Sequence, residues 1–141
     1  MASSDCRLWL KFARMDIDSA QDLFSKQQNP RHRPIEVILY HCQQGAEKAL
    51  KAYIVQYGSM SKSYHIHDMQ VLRQTCTQWS VRFNNSHIIG HCAYLDPFSI
   101  IVRYPKHNLS LDSSHAKRGL NSAKRIFDFV CDLLGLEKAY F

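Results

Sequence analysis

His41, Gln44, Lys48 and Lys51 recur at three- and four-residue steps and therefore share one side of a helix. Together they make a polar-to-basic stripe, whose Lys48 and Lys51 could contact an anion. Glu47 precedes Lys51 by four residues, the order that favours a helical ion pair by a few tenths of a kcal/mol. A second carboxylate stands out because its neighbours are apolar. Asp16 falls on the helical face formed by Leu8, Trp9, Phe12, Ala13, Ala20, Leu23 and Phe24. An unpaired buried carboxylate costs several kcal/mol, so Asp16 must reach the rim of that face or meet a cation, from a basic residue of the central helix or from Arg103. His87 and His91 lie four residues apart and could offer two ligands to zinc. The nearby Asp96 adjoins Pro97 and Cys92 turns inward, so no third ligand is evident and no metal is expected. Lys117, Arg118, Lys124 and Arg125 gather on one side of a C-terminal helix and could follow a phosphate backbone. His65 and His67 flank one apolar residue and read as a loop-to-cap pair. The sequence has no Gly-rich phosphate loop, nucleophile elbow or paired-carboxylate metal motif, so polymerase or nucleotidyltransferase chemistry is not encoded in it.

The elements that must position these groups are helices. Ile35, Ile38, Leu39, Cys42, Ala46, Ala49, Leu50, Tyr53 and Tyr57 form one apolar stripe, about six turns long, which makes this the central helix. Gly45 and Ala46 carry almost no side chain, so another helix can approach closely there. Before it, Ser3, Ser4 and Asp5 offer N-cap side chains for a first helix that fades by Gln28. A turn over 29–34 ends with Pro34 placed to begin the second helix, which Gly58 should stop. Residues 59–65 are polar and aperiodic, a loop. His67 and Asp68 can cap a third helix with Met69, Leu72, Cys76 and Trp79 inside. A loop over 81–86 precedes a fourth helix marked by Ile88, Ile89, Cys92, Ala93 and Leu95, which Pro97 should kink or divide. Phe98–Val102 alone could be a strand, but it is too short and isolated to build a sheet. Ser113 and Ser114 cap a last helix with Ala116, Leu120, Ala123, Phe127, Val130 and Leu134 inside, closing at Gly135. The expectation is one all-α domain over residues 1–141, a five-helix antiparallel up-and-down bundle.

Composition is consistent with that reading, with 45% hydrophobic and 21% charged residues in 141. No apolar run approaches the roughly 18 residues of a membrane span, and Met1–Arg14 lacks the uncharged apolar core of a signal peptide. Five cysteines, an odd number without a Cys-x-x-Cys pair, read as reduced core thiols of a cytoplasmic protein. A formal net charge of +6 permits an anionic partner such as RNA.

Four sequence blocks, in order, carry a resemblance to a known family. They are Trp9-Leu10-x-x-Ala13-x-x-Asp16-x-x-x-Ala20, then His41-x-Gln43-Gln44-x-Ala46-Glu47-Lys48-x-Leu50-Lys51-Ala52, then His67-Asp68-Met69, and Arg103-Tyr104-Pro105. Together they resemble the HEPN domain, an all-helical family of higher eukaryotes and prokaryotes linked to nucleotide binding. The resemblance spans nearly the whole chain. It implies a bundle that often pairs across a two-fold axis, and the apolar Trp9, Tyr94, Phe98 and Ile101 look surplus to one bundle's core. It also implies one of two activities. Some members are companions of small nucleotidyltransferases; others are metal-independent ribonucleases, several of them toxins or defence effectors, in which an arginine and a histidine meet their symmetry mates across a dimer cleft. By that likeness the catalytic candidates here are Arg103, to grip phosphate, and His107, as acid or base. Three residues separate them, one fewer than the family's usual spacing, and Pro105 stiffens the segment. Contacts to RNA or nucleotide are expected at Lys48, Lys51, Arg103 and Tyr104. The reading is thus a cytoplasmic homodimer that binds RNA or nucleotides without a cofactor, beside a minimal nucleotidyltransferase or, alternatively, as a ribonuclease.

Overall fold

Every strong apolar period in the chain becomes a helix. A computed structural model describes residues 1–59, 66–101 and 110–141. Arg103, Tyr104 and His107, with His65 and most of the 59–65 loop, lie outside the described residues. The helices are α1 (Ser4–Lys26), α2 (Ile35–Tyr57), α3 (Met69–Cys76), α4 (Ser86–Leu95) and α5 (Ser113–Leu134), with short 3-10 turns between and after them. The described residues include no strand: Phe98 and Ser99 continue from α4 in a 3-10 turn begun by Asp96 and Pro97. Proline divides the segment here, because its ring cannot join the ladder of the preceding turn.

Local chemistry sets the ends. The Ser3 side chain accepts from the Cys6 amide to start α1, and Asp68 accepts from the Gln70 and Val71 amides to start α3. The start of α5 falls one residue earlier than the serines suggest. Asp112 is its N-cap and forms a reciprocal capping box with His115. Hydrogen bonds from Ser114 and His115 hold the Asp112 carboxyl low, at about 2. Gly135 closes α5 in the left-handed conformation, φ 67°, as glycine can without a steric cost. Gly58 ends α2 differently, in extended backbone, with its amide on the Ile54 carbonyl.

Cross-helix bonds give the directions. Gln56, near the end of α2, accepts from the Ser3 amide and donates to the Met1 carbonyl, so α1 and α2 are antiparallel. Arg33 donates to the Ser113 hydroxyl where α2 and α5 both begin, and Gly119 sits against Leu39 and Cys42, so these two run the same way. Tyr94 of α4 donates to the His115 carbonyl while His91 meets Ser122, which makes α4 antiparallel to α5. The central helix, α2, packs on α1, α3, α4 and α5.

Two glycines allow close approaches between helices. A Cβ on Gly45 would lie 2.7 Å from Ile17 Cγ1 and 3.1 Å from the Ala13 carbonyl oxygen; one on Gly119 would lie 2.5 Å from Leu39 Cδ2. The core around them is apolar and includes all five cysteines as buried free thiols. Burial pushes these thiols up, to about 11 for Cys6 and about 12 for Cys42, Cys92 and Cys131, and further for Cys76.

Three sequence readings change. Trp79 lies beyond the end of α3, 36% exposed, and stacks on Tyr57 instead of filling the inner face. Phe98 and Ile101, read as surplus, are 5% and 6% exposed and belong to the core. The large apolar side chains left outside are others, notably Leu8, Phe12 and Met15 along α1.

Gly45→Ala should lower stability by about 1–3 kcal/mol, because Ile17 and the α1 backbone must give way. Gly90→Ala should do the reverse by about 0.5–1 kcal/mol, since nothing lies within 4 Å of the added methyl and a helix interior gains from alanine. Denaturant melts of the two variants check the pair.

Candidate functional site

The chemistry-bearing residues of α2 divide into two clusters, each built on one carboxylate. In the first, Asp16 of α1 accepts from His41 Nδ1 through Oδ1 at 3.0 Å and from Lys48 Nζ through Oδ2 at 2.5 Å. The carboxylate only accepts, so Nδ1 carries the ring proton and Nε2 is the nitrogen left for other partners. Asp16 is therefore a partnered carboxylate on an apolar face, and the partners come from the central helix as charge burial requires.

The second cluster lies one helical row over. Glu47 is 3% exposed and Lys51 2% exposed, and Lys51 Nζ donates to Glu47 Oε2 at 3.0 Å. Gln43 Nε2 donates to Glu47 Oε1 at 3.1 Å, and Gln44 donates in turn to Gln43 Oε1 at 2.7 Å. His67, just before α3, brings Nδ1 to within 3.1 and 3.2 Å of the two Glu47 oxygens. Lys51 also lies 5.9 Å from the Trp9 ring centroid. Among the described residues no buried side-chain nitrogen or oxygen is left without a partner.

This changes the roles expected of two lysines. Lys51, expected among the nucleotide contacts, has its ammonium enclosed and spent on Glu47. Lys48 retains a partly exposed side chain beside Asp16. Spacing alone groups Lys51 with His41, Gln44 and Lys48, whereas the geometry groups it with Gln43 and Glu47. The signal for that second grouping is the strict four-residue step from Gln43 to Glu47 to Lys51. The link from Glu47 to His67 has no such signal, since 20 positions separate them.

The other candidates lie elsewhere. Lys117, Arg118, Lys124 and Arg125 are exposed along α5. Arg118 lies over the Tyr94 ring at 4.1 Å, and Lys124 donates to Gln21 Oε1. His91 Nδ1 is 2.9 Å from Ser122 Oγ, and its pKa is pushed below the usual imidazole value by burial and then by Arg125, His87 and Arg118. Among the described residues no group of three His, Cys, Asp or Glu side chains could hold a metal ion. None of the described helices is long and apolar enough to cross a membrane.

A helical bundle in which two carboxylates, Asp16 of α1 and Glu47 of α2, each hold a histidine and a lysine differs from a plain apolar bundle. The family model described as the HEPN domain matches residues 6–134, and the chain belongs to that family. Its fold is similar to that in the crystal structure of TT1696 from Thermus thermophilus, with a TM-score of 0.70 and 20% identity over 92% of this chain and 98% of that one. That likeness is one of fold. No curated protein matches the chain.

Removing Glu47 would take away the carboxylate that balances the buried Lys51, so Glu47→Ala should cost about 3–5 kcal/mol, and Asp16→Asn should cost less because that carboxylate is nearer solvent. Thermal melts rank the two. The depressed His91 pKa gives a pH test with a definite sign. Below pH ~6.5 the unfolded chain takes up this proton more readily than the folded one, so stability falls with falling pH. His91→Gln should reduce that fall between pH 7 and 5, measured as the change in melting temperature relative to the parent.

Proposed function

We propose that this HEPN domain binds RNA or nucleotides and works beside a minimal nucleotidyltransferase. The observation that carries the reading is the outer face of α5. Residues 113–127 contain four cationic side chains, all exposed, and no acidic one, within a chain of net charge +6. A cationic helix face of this kind neutralises phosphates and releases counterions on binding. Lys48, Arg103 and Tyr104 are the proposed ligand contacts elsewhere; Lys51 contributes by holding Glu47 in place. The absence of nucleotide-transfer motifs in the sequence is why catalysis of that kind is assigned to a partner.

A second reading, a metal-independent endoribonuclease of toxin or defence type, is favoured by one observation: the Arg103-Tyr104-Pro105 block resembles the family's, and His107 follows Arg103 one residue closer than the family's usual spacing. Arg103 would bind the phosphate and His107 would transfer protons.

The working unit is proposed to be a homodimer. Leu8, Phe12 and Met15 are each about half exposed and lie at helical spacing on α1, an apolar stripe that a second copy would cover.

Filter binding across a salt series should give a log–log slope of about −0.7 for each RNA phosphate neutralised, and a flat response would remove the RNA reading. In chelator, cleavage of mixed RNA that vanishes in His107→Ala and weakens in Arg103→Ala would move the assignment to the ribonuclease. Light scattering should give about twice the 16.4 kDa chain mass. Phe12→Lys should return the monomer.

A further inference from the structure

We propose that the groove between α4 and α5 is a phosphate-binding site, seated on His87, His91 and Arg125, that receives the phosphate of a nucleotide or of an RNA strand. The inference rests on the reading that the chain binds such ligands, and it assigns where one phosphate sits. It uses neither the α2 clusters nor the segment containing Arg103 and His107.

The groove is an open cavity of about 730 Å³, within the range of small-molecule sites. Two imidazoles reach it from α4 and a guanidinium and an amide, Arg125 and Asn121, from α5. Ser122, itself 1% exposed, meets His91 Nδ1 and so fixes the ring, leaving Nε2 as the nitrogen available to a ligand. Burial first, and then Arg125, His87 and Arg118, lower the His91 pKa, which places those three side chains near its ring. Among the described residues no carboxylate forms an ion pair with Arg118 or Arg125. The two arginines are seven residues apart, about 10.5 Å along the axis, and bracket the His91–Ser122 contact.

Carboxylates also line the groove, with Asp128 three residues after Arg125 on α5. Asp128 and Asp132 each lie 3.6 Å from Lys138, which balances one of their two charges. Arg125, Asn121 and the two imidazoles remain as the groove's donors, and among the described residues no ion pair occupies Arg125. A phosphate among them accepts a charge-assisted hydrogen bond from Arg125 and further hydrogen bonds from its neighbours. Ile88 and Phe129 supply apolar wall beside the donors, where a base can lie.

The test titrates the full chain with adenosine 5′-monophosphate and, separately, with a short single-stranded RNA. The proteins are the parent, Arg125→Gln, His91→Gln and Lys26→Gln, the last removing an equal charge from the end of α1; circular dichroism confirms that each folds. Arg125→Gln should weaken binding about tenfold or more, the loss of one charge-assisted hydrogen bond, and His91→Gln should weaken it measurably. Lys26→Gln should change it less than about twofold. Loss of both ligands in Arg125→Gln assigns the site to the nucleotide phosphate, and a parent that binds RNA alone, with the same loss, assigns it to the strand. If the parent binds but Arg125→Gln and His91→Gln behave like Lys26→Gln, the groove assignment is overturned while the binding function stands. A parent that binds neither ligand overturns both.

Discussion

Enclosing the Glu47 carboxylate inside a helical bundle obliges the surrounding residues to answer for it. Taken from water alone, such a group would shift its protonation or unfold its surroundings; here Lys51, Gln43 and His67 occupy both of its oxygens. Two of these partners are local, one helical turn away on either side. The third arrives from the segment before α3, so the polar cluster also fixes where the chain re-enters the bundle after α2. Asp68, the next residue, then caps α3, whose first amide, on Met69, donates to the Asp96 carboxylate beyond α4. A single buried charge is in this way tied to the placement of three elements. An apolar core of the same volume would be equally stable without specifying that register.

Much of this is legible in the chain because helices write their period into it. The stripes of α2 and α5, the N-cap role of Asp68 and the stop at Gly135 follow from residue type and spacing over at most a few turns. Asp16 is legible as a problem, a carboxylate on an apolar face, and its solution by a basic residue of the central helix follows from the cost of leaving it unpaired. Legibility ends where partners are distant in sequence. Nothing near His67 points to Glu47, and nothing near Phe98 or Ile101 shows that the core has room for them. Trp79 departs from its pattern for a related reason. Helical spacing continues past Cys76, but the chain turns there, and the indole goes to the surface beside Tyr57.

The shared direction of α2 and α5 has a bearing on the groove at the other face. With α5 held to α2 through the close approach at Gly119, its inner residues are committed to the core and its cations are turned outward. Helix α4 runs antiparallel beside it, and the two meet at successive points: Tyr94 with the His115 carbonyl, His91 with Ser122 two turns further along α5. Charge placement on this surface is a consequence of helix packing as much as of composition.

The cysteines supply something besides filling. All five are enclosed, and burial suppresses the thiolate that alkylating reagents and oxidants attack. Each becomes reactive only when the element over it opens. Because Cys6, Cys42, Cys76, Cys92 and Cys131 are spread over α1 to α5, one on each helix, the rate at which each is labelled is a clock for the opening of its own helix. The chain carries its own set of local stopwatches, and a single cysteine introduced on the surface would react against a silent background.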